Sequence, residues 1–303
     1  MLHVAIVGGD GFLGRNLAKK LMAVYENIEL TLIDCQFVNI DDKEHKNLRC
    51  IQCDILNLAH LAQALIDVDV VFHKAAMLGI PLKSVNMKYS EKYLDINILG
   101  TSNIIKVCEK NNVRKIIFDS SIAVFGDLGE SYFAQENMDS KPQNFYGLSK
   151  HTSEFMIQNS SLSSVIFRYP RVRFSESRDV IYHFIKSVME DRPITIIGNP
   201  LKEIAFVDLS DVMRANVLII ENRISKGLFH ISPGDSIKIL DLAKLIKELL
   251  NKPLHPIVFE EGVDFEPLRT CLSTSNAREV LGYEPRISLF DMIKDTYKYI
   301  SNC

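Results

Sequence analysis

A tyrosine and a lysine one helical turn apart occur twice in this chain, as YGLSK from Tyr146 to Lys150 and as YHFIK from Tyr182 to Lys186. On one helix face such a pair turns a phenol into a proton-transfer group, because a neighbouring ammonium favours the phenolate. The two copies differ in what precedes them. Ser121 closes the apolar run KIIFDSS ahead of Tyr146, whereas the same interval back from Tyr182 falls on Ile157, inside a helical pattern. A serine at the carboxyl end of a strand stands where open α/β sheets gather their ligands. The second copy belongs to an amphipathic helix, DVIYHFIKSVM, in which Tyr182 and Ile185 read as packing residues and Lys186 as a solvated stem. Ser121, Tyr146 and Lys150 are therefore the candidate catalytic unit. Ser121 holds a substrate oxygen, Tyr146 exchanges its proton, and Lys150 weakens the phenol's grip on that proton while also holding a ribose.

The redox partner of such a unit is written at the start of the chain. HVAIVGGDGFLGRNLAKKL reads as strand, glycine turn and helix, with Gly8, Gly11 and Gly14 at the turn. Glycines let the backbone come close to a pyrophosphate, and a helix beginning with Phe12 and Leu13 aims its first amides and its dipole at that anion. Asp34 closes the second strand, LTLID, about 20 residues further on, where a carboxylate accepts hydrogen bonds from both ribose hydroxyls of an adenosine. It would repel a 2′-phosphate, and Cys35, Gln36 and Phe37 supply no cation to offset that. The expected cofactor is NAD rather than NADP. A free phenol titrates near 10, so the positive charge of an oxidised nicotinamide, together with Lys150, is expected to bring Tyr146 down.

The elements that must position these groups follow a regular beat. Short, nearly continuous apolar runs (HVAIVG, ELTLID, LRCIQCD, VDVVFHKAA, RKIIFDSS, SSVIFRYP) alternate with helical patterns, including Phe12 to Val24 and a long one from about Glu91 to Lys110. Strands of that kind are buried on both faces, which indicates an α/β, doubly wound parallel sheet, the Rossmann fold. After Pro170 the beat breaks up under repeated prolines. The expected domains are residues 1–172, with 206–232 returning to them, and a smaller mixed α/β substrate-binding region formed by 173–205 and 233–303.

A formal charge of -3 over 303 residues, without a long single-sign run, gives no footprint for nucleic acid or an anionic membrane surface. MLHVAIVGG carries no basic leader, and no stretch is long enough to span a membrane. Six scattered cysteines, Cys303 among them, suit reduced thiols, so a cytoplasmic location is expected. Cys50 and Cys53 form a lone CxxC on a strand that aims them at opposite faces, and no metal site is expected.

With these residues in place, the chain resembles the extended short-chain dehydrogenase/reductase family, in its NAD-dependent epimerase/dehydratase branch. The resemblance spans nearly the whole length. It rests on GGDGFLG, Asp34, CDI with Asp54, VFHKAA, NILGT from Asn97 to Thr101, SSIAVFG, YGLSK, FVDLSDV and AREVLGYEP. It implies that Asp54 and Ile55 border the adenine, that Ala75 and Ala76 line the cofactor trough, and that the segment after Arg168 meets the carboxamide. It also implies a homodimer packed through the helix from Glu91 and the helix of Tyr146, with His73 as a strand-end residue and Asn97 as a backbone brace.

Departures from the family pattern narrow the activity. Sugar-nucleotide dehydratases carry an Asp-Glu pair where this chain has Ile122 and Ala123, which disfavours dehydration. An arginine common ahead of the FV strand is replaced by Ile204, while Arg269 matches an arginine that contacts the diphosphate. Arg171 and Arg173 stand as substitute anion clamps. The leading expectation is a nucleotide-sugar epimerase working by transient hydride transfer. The alternatives are a dehydrogenase or reductase of a free sugar, sugar acid or other carbonyl compound, and a non-catalytic NAD-sensing protein.

Overall fold

The six apolar runs, joined by GLFH, become neighbouring strands of one sheet: β1 (Leu2–Val7), β2 (Ile28–Asp34), β3 (Leu48–Gln52), β4 (Val70–His73), β5 (Lys115–Ser121), β6 (Ser163–Tyr169) and β7 (Gly227–His230). This computed structural model describes residues 1–40, 46–79, 86–128, 133–262 and 268–302, so Cys303 lies outside the described residues. The spatial order is β7-β6-β5-β4-β1-β2-β3. β1 runs parallel to both β2 and β4, with β3 and β5 next in line. Strand order reverses between β1 and β4, and the crevice at the carboxyl ends of such a pair is where doubly wound sheets bind ligands.

The strands lack polar and apolar alternation because helices cover both faces. Helix α1 (Phe12–Val24) follows β1, α2 (Leu58–Ala64) follows β3, α3 (Gly100–Lys110) precedes β5, and α4 (Phe145–Gln158) precedes β6. Val7, Ile33, Val71, Ile116, Phe118 and Ile166 are buried in the shared core. Ahead of α3 the long helical pattern is not uniform: one α turn, Ser90–Lys92, runs into a π-helical stretch, Tyr93–Leu99, whose following amide at Gly100 bonds back to Asp95.

The described residues form two units, one of residues 1–126, 139–168 and 215–229 and the other of 127–138, 169–214 and 230–303. Within the second, short strands pair as Arg171–Arg173 with Phe206–Asp208, Ile194–Ile197 with Ile257–Glu260, and Glu203–Ile204 with Ile237–Lys238. Thus FVD pairs outside the seven-stranded sheet, while GLFH is one of its two edge strands. Helices Val180–Met189, Ile239–Leu249 and Leu289–Ser301 share the second unit's apolar core, through residues such as Ile185, Leu242 and Met292. Among the described residues no helix is long and apolar enough to cross a membrane.

Candidate active site

The glycine turn is shaped by contacts that leave no space for side chains. Gly8 has φ +88, a left-handed conformation, and a Cβ there would lie 2.5 Å from the Ala75 nitrogen. A Cβ on Gly14 would lie 2.1 Å from the Gly8 carbonyl oxygen, so α1 starts directly against the turn. Gly11 is the N-cap of α1, and neither a capping side chain nor an acidic residue serves the first turn. The positive end of the α1 dipole therefore meets no acidic side chain in that turn.

Asp34 and Asp10 tie this turn to the next strand. The Asp10 amide donates to Asp34 Oδ2 at 3.0 Å, and the buried Asp10 carboxylate accepts from the Val38 and Asn39 amides. Asp34 stays half-buried at the end of β2, beside exposed Cys35. Beyond β3, exposed Asp54 accepts from the Leu56 amide at 2.9 Å, and Ile55 is buried with its carbonyl taking the Asn103 side-chain amide at 3.0 Å. Ala75, half-buried after β4, donates its amide to Val7 at 2.8 Å. A glycine cradle, an uncapped helix start and a carboxylate at the end of β2 fit a dinucleotide with an unphosphorylated ribose.

The polar triad sits at the carboxyl end of β5. Ser121 is extended, and its Oγ accepts from the Ala123 amide at 3.2 Å, opening a single 3-10 turn, Ile122–Val124. Asn144 caps α4 by accepting from the Gly147 amide at 2.8 Å. A Cβ on Gly147 would stand 2.3 Å from the Ala123 carbonyl oxygen, so the absent side chain lets α4 approach this turn. That approach brings Tyr146 into a side-chain hydrogen bond with Ser121. Lys150 is buried, lies 4.7 Å from the Phe118 ring centroid, and donates to the Asp119 carbonyl at 2.7 Å.

The proton affinity of Tyr146 differs from the sequence-based expectation. Burial pushes the phenol up to about 12, the Ser121 hydrogen bond opposes the rise, and the charges of Asp119 and Tyr93 add to it. Lys150 is pushed down to about 8 by burial, against the pull of Asp119 and Glu154. In the chain alone desolvation dominates and only the Ser121 hydrogen bond opposes it, so lowering Tyr146 requires positive charge brought beside it.

Residues outside the triad position the site, among them Asn97 and His73, whose motifs the sequence shows, and Tyr93, Glu154 and Arg168, which carry no signal as site residues. Asn97, on the π-helical stretch, accepts from the Met77 amide at 2.7 Å, donates to its carbonyl at 3.1 Å, and also donates to Ser149. Tyr93 from the same stretch donates to the Leu78 carbonyl at 3.0 Å. Together they hold the irregular segment after Ala75. His73 is buried, bonded to Thr101 at 2.8 Å, and pushed down to about 3 by burial, then by Lys150 and Lys74. Beneath Lys150, Glu154 is bonded to Ser120 and forms a buried two-point ion pair with Arg168, at 2.9 and 2.6 Å.

The three arginines considered for anion binding belong to the second unit and fare differently. Arg173 is not an anion clamp: its buried guanidinium pairs with Asp179 at 2.9 Å and donates to Met292 and Thr296. Arg171 is exposed on its short strand. Arg269 is partly exposed, with its Nε 3.7 Å from Glu203. In the same unit, Tyr182 is half-buried and Lys186 is paired with Glu190 at 3.7 Å, on a helix capped by Asp179.

Residues 4–231 match the model of the NAD dependent epimerase/dehydratase family. A putative UDP-glucose 4-epimerase of Methanocaldococcus jannaschii is 28% identical, over 99% of this chain and 98% of its own. A UDP-N-acetyl-alpha-D-glucosaminuronate decarboxylase of Bacillus cytotoxicus is 26% identical, over 97% of this chain and 96% of its own. Among solved structures, UDP-glucuronic acid 4-epimerase from Bacillus cereus, in complex with UDP-glucuronic acid and NAD, superposes with a TM-score of 0.87 at 26% identity, covering 99% of both chains.

Proposed function

The chain belongs to the NAD-dependent epimerase/dehydratase family, and on that premise we propose that it is a nucleotide-sugar epimerase acting at C4 of a UDP-sugar. The observation that carries the reading is the hydrogen-bonded Ser121 and Tyr146 at the carboxyl end of β5, with the Lys150 ammonium bonded to the same strand. Gly8, Gly11, Phe12, Leu13 and Gly14 hold the pyrophosphate of NAD, Asp34 its adenosine ribose, and Asp54, Ile55 and Ala75 border it. Bound NAD supplies the hydride acceptor and donor.

Tyr146 as phenolate takes the proton of the sugar hydroxyl when its carbon is oxidised, and returns it to the same oxygen when the ketone is reduced from its other face. Ser121 donates a hydrogen bond to that oxygen and keeps it in line with the phenol. Lys150 places a positive charge behind Tyr146, which counts for most where burial has stripped water away. Asn97 and Tyr93 fix the backbone that borders the site. Ile122 and Ala123 supply no acid or base for expelling water, which favours epimerisation over dehydration.

Arg171 and Arg269 hold the diphosphate in this reading. The protein works as a homodimer, for which Leu94 and Leu99 on the π-helical stretch and Leu148 and Phe155 on α4 are exposed apolar candidates. The test is to incubate purified protein with UDP-glucuronic acid and UDP-glucose and follow products by NMR and NADH by absorbance. C4 epimers without accumulating NADH are expected. Steady conversion of NAD to NADH with an unphosphorylated sugar, or release of carbon dioxide from UDP-glucuronic acid, would overturn the reading.

A further inference from the structure

A second lysine stands against the strand that holds Lys150. Register pairs His73 of β4 with Phe118 of β5, so Lys74 and Asp119 follow as neighbours at the carboxyl edge. Lys74 Nζ donates to Asp119 Oδ1 at 2.6 Å and to Asn216 Oδ1 at 2.7 Å, and its side chain is only 1% exposed. Side chains alternate across a strand, so Phe118 and Asp119 point to opposite faces of the sheet. Lys150 lies over Phe118 and takes the Asp119 carbonyl. One residue thus carries two ammonium groups, Lys74 on its carboxylate and Lys150 on its carbonyl.

We propose that Lys74 is a positioning residue which, by holding the Asp119 carboxylate on the face opposite Lys150, sets how firmly the Lys150 ammonium keeps its proton beside Tyr146. The proposal rests on the reading of Lys150 as the partner of Tyr146. A buried carboxylate without a countercharge would bind the Lys150 proton more tightly and oppose the Tyr146 phenolate, and Lys74 opposes that field. The direction agrees with the electrostatics, in which Asp119 raises and Lys74 lowers Lys150, and Asp119 raises Tyr146. The other groups facing Lys150 are Glu154, already paired with Arg168, neutral His73, and Tyr146 itself.

The experiment titrates Lys150 directly, in NAD-loaded protein carrying lysine labelled with carbon-13 at the ε position; the Lys150 resonance is assigned by its loss in Lys150→Arg. In Lys74→Met, Lys150 is expected to titrate about one pH unit or more above wild type, and Lys74→Arg is expected to restore the wild-type value. An unchanged titration in Lys74→Met overturns the proposal. Circular dichroism checks folding, and if Lys74→Met is unfolded, Asp119→Asn decides: a downward shift supports the proposal and no shift overturns it. A purely structural ion pair would change the melting temperature and leave the titration alone. Because the titration needs no turnover, failure of wild-type protein to epimerise UDP-glucuronic acid or UDP-glucose would count against the proposed function separately.

Discussion

The glycine turn gives the most directly calculable perturbation. In Gly14→Ala the new methyl carbon would lie 2.1 Å from the Gly8 oxygen and 2.9 Å from both the Gly8 carbonyl carbon and the Gly9 Cα. All three are backbone atoms, so no rotamer change relieves the clash. Restoring ordinary contact needs a retreat of about 1 Å by the start of α1, and overpacking of this kind costs about 1–3 kcal/mol. The same movement takes the first amides of α1 away from the pyrophosphate, where hydrogen bonds to a charged group are worth about 1.5–3 kcal/mol. At about 1.4 kcal/mol per tenfold, the NAD dissociation constant is expected to rise about 10–100-fold. Calorimetric titration with NAD reads the affinity, and a thermal melt reads the stability loss of several degrees that accompanies it. Wild-type affinity together with a wild-type melt would refute the view that α1 is pressed against the turn to meet an anion.

Other expectations separate chemistry from scaffolding. Tyr146→Phe removes the proton acceptor and is expected to lower kcat by about 10²–10⁴-fold while leaving NAD affinity unchanged, as steady-state kinetics and titration would show. Glu154→Ala leaves the Arg168 guanidinium buried without its partner, and a loss of about 3–5 kcal/mol is expected from denaturant midpoints. His73 titrates near 3 in the folded chain, against about 6.5 unfolded, so the unfolded chain takes up this proton first as pH falls. Its contribution is present above pH 6.5 and is lost between about 6.5 and 3, a few kcal/mol in all. His73→Gln should flatten that part of the stability profile, measured by denaturant unfolding at several pH values.

The sheet was readable because its strands are apolar runs of β-branched residues separated by helical periodicity, and the glycine turn because backbone proximity leaves few residue choices. Ser121 and Tyr146 could be linked because spacing was read together with context, a strand end and a helix start being local signals. What escaped reading depends on contacts between distant segments. Lys74 looks like an interruption in VFHKAA until Asp119 and Asn216 are seen around it. Arg173 reads as a substitute anion clamp, yet Asp179, Met292 and Thr296 take up its donors. The π-helical stretch Tyr93–Leu99 has the composition of an ordinary helix, and the bonds of Tyr93 and Asn97 to the segment after Ala75 reveal its purpose. The proton affinity of Tyr146 could not be read because burial, its largest cause, is a property of the fold.

The proposed reaction moves one hydride off a sugar carbon and back to the same carbon. Purified protein should therefore be given UDP-glucuronic acid and UDP-glucose deuterated at C4, and the C4 epimers examined by mass spectrometry and NMR. Epimers that keep the deuterium, formed without net NADH, are expected. Epimers that have exchanged it for solvent hydrogen would contradict hydride return to the carbon beside Tyr146.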